Sequence, residues 1–136
     1  MNDAKTTTDD SEMMDECEPP TEFVAACGSP LEVVWLRAFW CFVDSWRPMS
    51  IQPQARVGEY FADFLLQNNG GLFAAVEIDG HEFHQKTKEQ AERDHRRDRE
   101  FARRGIFVLR FTGSEVFRDP FGCAVEVVEF MERCRQ

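Results

Sequence analysis

Three carboxylates and a histidine have the residue types and spacing to do chemistry. The run Ala75-Val76-Glu77-Ile78-Asp79-Gly80 alternates apolar and acidic residues. This predicts a strand with Glu77 and Asp79 on one face and Val76 and Ile78 on the other. Two carboxylates on one strand face repel each other. A fold accepts them most readily where a cation sits between them, or where one is protonated or open to water. Asp63 lies in a second apolar run, Tyr60 to Leu66, and His84 follows just beyond the acidic pair. Hard oxygen donors with no thiolate nearby favour Mg²⁺ or Mn²⁺ over zinc. Such an ion polarises a phosphodiester and lowers the pKa of an attacking water. His84 is placed to move a proton or, as a cation, to contact phosphate. The plainer alternatives are an exposed strand face for Glu77 and Asp79 and a strand-end cap for His84.

The elements that must position these groups are legible from periodicity. Gly28-Ser29-Pro30-Leu31-Glu32 opens a helix, with Ser29 as N-cap, Pro30 at the first helical position and Glu32 completing a capping box. The helix is expected to run to about Trp46, ahead of Pro48. Glu32 then has a structural role ready-made, with a catalytic one as its rival. A first strand is expected over Pro53 to Val57, continuing after Gly58 into Tyr60 to Leu66. Gln67-Asn68-Asn69-Gly70-Gly71 is a turn signal and Leu72 to Asp79 is the returning strand, so the two longer strands form an antiparallel hairpin. Asp63 and Glu77 approach each other across that hairpin if the register allows it.

Lys86 to Arg104 reads as a highly charged helix stopped by Gly105. Ala91, Asp94, Asp98, Phe101 and Ala102 recur at spacings of three and four and form its thin inner stripe. Asp94 and Asp98 are expected to tie down Arg97 or Arg110 rather than to bind metal. Ile106 to Phe111 is a buried strand, parallel to one strand of the hairpin because a helical crossover leads to it. Thr112 to Glu115 opens a helical turn, and Asp119-Pro120 introduces a last helix to about Arg135. The order is helix, antiparallel hairpin, helix, parallel strand, helix, which defines a small three-layer α/β domain.

A chain of 136 residues, 43% hydrophobic, is long enough for one buried core. Its net charge of −9 argues against a nucleic-acid partner, but residues 1–22 hold eight acids against Lys5 alone. The remainder is close to neutral, and Lys86 to Arg104 carries eight basic and five acidic side chains. That segment suits a nucleic-acid backbone, although a solvated face laced with ion pairs explains most of its charges. Residues 1–22 are therefore expected to form a disordered acidic tail, and residues 23–136 the folded domain. Five cysteines without CxxC spacing suit reduced thiols in the cytoplasm. No apolar run approaches the roughly 20 residues that span a bilayer.

Taken together, Tyr60-Phe61-Ala62-Asp63-Phe64, Val76 to His84, Asp94-His95-Arg96-Arg97-Asp98 and Val108-Leu109-Arg110-Phe111-Thr112 resemble the endonuclease-like domains related to very short patch repair endonucleases. These belong to the PD-(D/E)XK, or restriction-endonuclease-like, superfamily. The resemblance spans about Ser29 to Phe130 and implies a restriction-endonuclease-like core and metal-dependent cleavage of DNA. By its motifs Asp63 matches the first acidic ligand and Glu77 the second. His84 matches a histidine after the strand, and Glu32 a glutamate on the first helix. The superfamily often has lysine where this chain has Asp79, which leaves His84, Lys86 and Lys88 as candidates for proton transfer.

The expectation is a Mg²⁺- or Mn²⁺-dependent endonuclease acting on DNA. Asp63, Glu77 and Asp79 are its metal ligands, His84 and Glu32 complete the catalytic set, and Lys86, Lys88, Arg97 and Arg110 face the nucleic acid. Two alternatives remain open: a degenerate nuclease-fold domain that binds nucleic acid or a protein without cutting, and an acidic mimic of DNA.

Overall fold

A computed structural model describes residues 18–42, 49–79 and 87–133. The elements in chain order are α1 (Thr21–Ala26), α2 (Pro30–Trp40), β1 (Ser50–Val57), β2 (Tyr60–Gln67), β3 (Phe73–Asp79), α3 (Lys88–Arg103), β4 (Ile106–Thr112), α4 (Gly113–Arg118) and α5 (Pro120–Arg133). Four strands form one sheet in the order β1-β2-β3-β4. The first three are antiparallel neighbours, and β4 lies parallel to β3 after the α3 crossover.

Each turn has a visible cause. Gly58 takes a positive φ of 61°, which lets β1 return as β2 in two residues. At the β2–β3 turn the buried Asn68 side chain accepts from the N–H groups of Gly70 and Leu72 at 3.0 and 2.9 Å. Its amide also donates to the Met131 carbonyl at 3.1 Å, fastening the hairpin to α5.

The sheet is covered on both faces. On one side Trp35, Leu36 and Phe39 of α2, with Ala124, Val127 and Met131 of α5, pack against Phe64, Leu66, Val76 and Ile78. Trp35 stacks on Phe39 and leans on Phe64, each at 4.8 Å between ring centroids. On the other side a smaller cluster gathers Val57, Ala62 and Ala75 around Phe101 of α3. The result is the expected three-layer α/β core of helix, antiparallel hairpin, helix, parallel strand and helix.

Several boundaries differ from the sequence expectation. β1 begins at Ser50 rather than Pro53, and α2 ends at Trp40 with a turn at Cys41 and Phe42. The expected continuation of α2 to Trp46 falls mostly on residues 43–48, outside the described residues. The short helix α1 was not expected; its six residues are too few to show a period. The division at residues 22 and 23 falls within α1, and Glu18 pairs with Arg37 at 3.2 Å. The acidic run itself, residues 1–17, lies outside the described residues. Among the described residues no helix is long and apolar enough to cross a membrane.

The inner stripe of α3 also differs, because Ala102 is exposed whereas Arg97 turns inward beside Asp94, Asp98 and Phe101. Phe101 is the one fully buried residue of this charged helix. Phe101→Ala is therefore expected to cost about 3–5 kcal/mol of stability. A urea titration checks this, and loss of amide-exchange protection should be concentrated in α3.

Candidate active site

The site forms where the sheet opens. β2 and β3 pair from Gln67↔Phe73 to Phe64↔Val76, and the next position in this register sets Asp63 opposite Glu77. The ladder stops there. The Asp63 carboxylate accepts the Ile78 N–H at 2.8 Å, taking over from a backbone carbonyl. On the far side β1 and β2 pair at Pro53↔Phe64 and again at Ala55↔Ala62, leaving Gln54 and Asp63 out of the ladder between them.

Gln54 adopts a positive φ of 47°, a conformation that costs a non-glycine residue about 1–3 kcal/mol. The strand alternation slips at the same place. Ala62 packs on the α3 side, while Phe64 packs on the α2 side. A single irregularity thus turns Asp63 out of the sheet's pairing and into the gap beside β3.

Glu32 reaches this gap from α2. Its carboxylate accepts from Gln54 Nε2 at 2.7 Å, and the same amide lies 3.4 Å from Asp63 Oδ1. The expected capping box is incomplete. Ser29 Oγ accepts the Glu32 N–H at 3.3 Å, but the Glu32 side chain accepts from Gly28 N at 3.1 Å and turns toward Gln54. Gly28 permits that approach, since a Cβ there would stand 3.1 Å from Gln54 Nε2 and 3.2 Å from Glu32 Oε2.

Glu77 is 7% exposed and faces α3, where the Arg97 guanidinium pairs with it. Arg97 also donates to the Phe61 carbonyl at 2.9 Å and lies 4.4 Å over the Phe101 ring. Arg97 is thereby fixed by a β2 carbonyl, a core aromatic ring and the carboxylate. Arg110, in register with Glu77 on β4, donates to Asp98 at 2.7 Å. The expectation that Asp98 ties down an arginine agrees with this contact, and both arginines are occupied with carboxylates.

The electrostatics follow from this crowding. Burial pushes the Glu77 carboxyl up to about 7, helped by the Asp63 charge and opposed by Arg97. Asp63 is also raised, by burial first and by the Glu32 charge, against the stabilising Ile78 N–H and a hydrogen bond from Glu77. The Cys27 thiol reports the same negative field: burial, then Glu32 and Asp63, push it up to about 11.

Asp79 lies two residues past Glu77 on β3, half-buried and in register with Thr112. It is not among the leading charges acting on Asp63 or Glu77. Lys88 is the exposed first residue of α3, behind a Thr87–Gln90 capping box. His84 and Lys86 lie outside the described residues. The structure therefore brings together Asp63, Glu77, Glu32 and Arg97. It adds Gln54, for which the one sequence signal was Pro53, a residue that breaks a ladder hydrogen bond inside a strand pattern.

A four-stranded mixed sheet, clasped by helices and opened where half-buried Asp63 faces buried Glu77, defines a restriction-endonuclease-like domain. Residues 45–131 match the family model REase_MTES_1575, a restriction-endonuclease-like family, and the chain belongs to that family. No curated protein and no solved structure matches. The matched segment contains Asp63, Glu77, Asp79 and α3 and begins after α2, so Glu32 joins the site from outside it.

Because folded Glu77 keeps its proton where the unfolded chain has lost it, stability should fall as pH rises from about 4.5 to about 7, by at most about 3 kcal/mol. Urea titrations in EDTA should show this decline. Glu77→Gln, which keeps a partner for Arg97 but sheds the charge, should flatten it and be the more stable chain at pH 8.

Proposed function

We propose that this domain is a metal-dependent endonuclease that hydrolyses phosphodiester bonds in DNA. The observation that carries the reading is the Asp63–Glu77 pair, two desolvated carboxyls from adjacent strands, set face to face where the ladder opens. Among the described residues no three His, Cys, Asp or Glu side chains form a metal-binding group. A two-carboxylate donor set nevertheless fits Mg²⁺ or Mn²⁺, since Mg²⁺ is often held by one or two carboxylates together with waters and substrate phosphate.

In this reading Asp63 and Glu77 would hold the ion, with Asp79 joining directly or through water. A bound divalent cation supplies charge that polarises the scissile phosphate and makes a water more acidic. The chain's own groups set the stage. The Ile78 N–H and the Gln54 amide orient Asp63, Arg97 aims Glu77, and Glu32 fixes Gln54. His84 is the proposed proton carrier, and Lys86 and Lys88 are proposed to face the DNA backbone.

Four further parts of this proposal rest on sequence. The closer likeness to very short patch repair endonucleases rests on the blocks Tyr60 to Phe64, Val76 to His84, Asp94 to Asp98 and Val108 to Thr112 taken together. Residues 1–22 are read as a disordered acidic tail ahead of the domain. DNA as substrate follows the family. A cytoplasmic setting is supported by the free thiols of Cys27, Cys41 and Cys123.

Two observations favour a second reading, in which the domain binds nucleic acid or a protein without cutting. Arg97 already pairs with Glu77, and Asp79 stands where a lysine is often found. Cleavage of single-stranded, duplex and mismatched DNA separates the two readings. Endonuclease activity should require Mg²⁺ or Mn²⁺, vanish in EDTA, and fall at least about a hundredfold in Asp63→Ala and Glu77→Ala. Wild-type activity in both variants would leave the second reading. At subsaturating Mg²⁺ the rate should climb as pH rises toward about 7, since the metal-free Glu77 must lose its proton before it can take the ion.

A further inference from the structure

The two edges of the sheet are built differently. β1 forms one edge and is blunted: Pro53 has no N–H to offer, Gln54 turns left-handed at a φ of 47°, and α1 packs against the strand. β4 forms the other edge, and among the described residues no strand pairs with its outer side. Ile106–Thr112 holds no proline, no positive φ and one charged residue, Arg110. Such an edge offers a row of unpaired N–H and C=O groups to another strand.

The side chains along β4 are only partly covered. Phe107 is 51% exposed although it meets the Phe130 ring of α5 edge to face, and Leu109 beside it is half-buried. On the opposite face Ile106 and Val108, also half-buried, line a groove of about 490 Å³ with the exposed Ala102 of α3 and the Asp98–Arg110 ion pair. Asp98 and Arg110 offset each other, so the groove carries no net charge.

We infer that β4 pairs with β4 of a second copy of this chain, antiparallel about Val108, joining two four-stranded sheets into one. An antiparallel two-fold matches the free N–H and C=O groups of the strand to those of its own copy, so both open edges are satisfied at once. Centring on Val108 sets Phe107 opposite the partner's Leu109, which covers the exposed ring, and Arg110 opposite the partner's Ile106. The two Arg110 residues then stand about 14 Å apart, beyond the screening length at physiological salt. Centring on Arg110 itself would set like charges face to face. The blunted β1 edge does not continue the sheet, so the assembly closes at two copies instead of growing into a fibre.

The pairing goes beyond the nuclease reading and does not depend on it, but it bears on the same site. Arg110 is in register with Glu77, so the seam lies one strand away from the candidate carboxylates. By strand spacing and rise, the two-fold sets the two Glu77 residues about 20 Å apart on the α3 face of the joined sheet.

Sedimentation equilibrium of the full chain tests the pairing. The parent should approach twice the chain's 15.8 kDa at about 0.1 mM, and amide exchange across Ile106–Thr112 should slow as concentration rises. Phe107→Lys puts a charge on a half-exposed edge position and should weaken association at least about tenfold, with melting of the dilute chain little changed. Val108→Cys should form a disulfide dimer on mild oxidation, linked through position 108 by mass spectrometry, because directly opposed residues of an antiparallel pair lie within disulfide reach. The parent controls for cross-links through the native cysteines.

A parent that stays monomeric at about 1 mM overturns the inference. So does a dimer that Phe107→Lys leaves intact while Val108→Cys gives no more cross-link than the parent. Protection of the β4 amides by an added strand-forming peptide, in a chain that stays monomeric, assigns the edge to a foreign strand and also overturns it. Each result is read without DNA or metal and leaves the nuclease reading untouched.

Discussion

The structure depends on one costly arrangement: two carboxyls, the half-buried Asp63 and the buried Glu77, held face to face. Burial raises the proton affinity of both, and the Asp63 charge raises that of Glu77 further. A sheet gains nothing in stability from such a pair, and the neighbouring residues are organised around keeping it. The Ile78 N–H is given to Asp63 instead of to a strand partner. Arg97 is pinned by Phe61, Phe101 and Glu77 together. Gln54 holds a strained backbone so that its amide spans Glu32 and Asp63. Strain and desolvation concentrated at one spot, in an otherwise regular sheet, make it the candidate site.

The two helical layers have different tasks. The α2 and α5 side supplies most of the core, with Trp35, Phe39 and Phe64 stacked at its centre. It holds the sheet rigid behind the opening. The α3 side buries little beyond Phe101 and is made mostly of charge. Its role is electrostatic, because Arg97 and Asp98 set the partners of Glu77 and Arg110.

Much of this was legible in the sequence for local reasons. Alternation put Glu77 and Asp79 on one strand face, the Asn-Gly-rich turn set the hairpin, and the crossover helix made β4 parallel. Asp63 opposite Glu77 depended on register, which a hairpin sequence narrows without fixing. Gln54 was missed because its importance comes from a left-handed backbone and two tertiary partners, neither of which alters a hydrophobic pattern. The turn of Glu32 away from the capping box was hidden for the same reason, since Ser29 and Glu32 have the right spacing for the simpler bond. Arg97 was expected to face the nucleic acid, and the structure turns it onto Glu77 and the Phe61 carbonyl. Only the packing of α3 on the sheet distinguishes it from Arg93 or Arg96.

The central claim is that Asp63 and Glu77 together hold one divalent cation in place of the proton they share. Calorimetric titration of the chain with Mn²⁺ at about pH 6.5, in two buffers of different ionisation enthalpy, tests it directly. The account predicts saturable binding near one ion per chain with release of about one proton, lost in Asp63→Ala. Absence of binding, or binding that releases no proton and persists in Asp63→Ala, would contradict it.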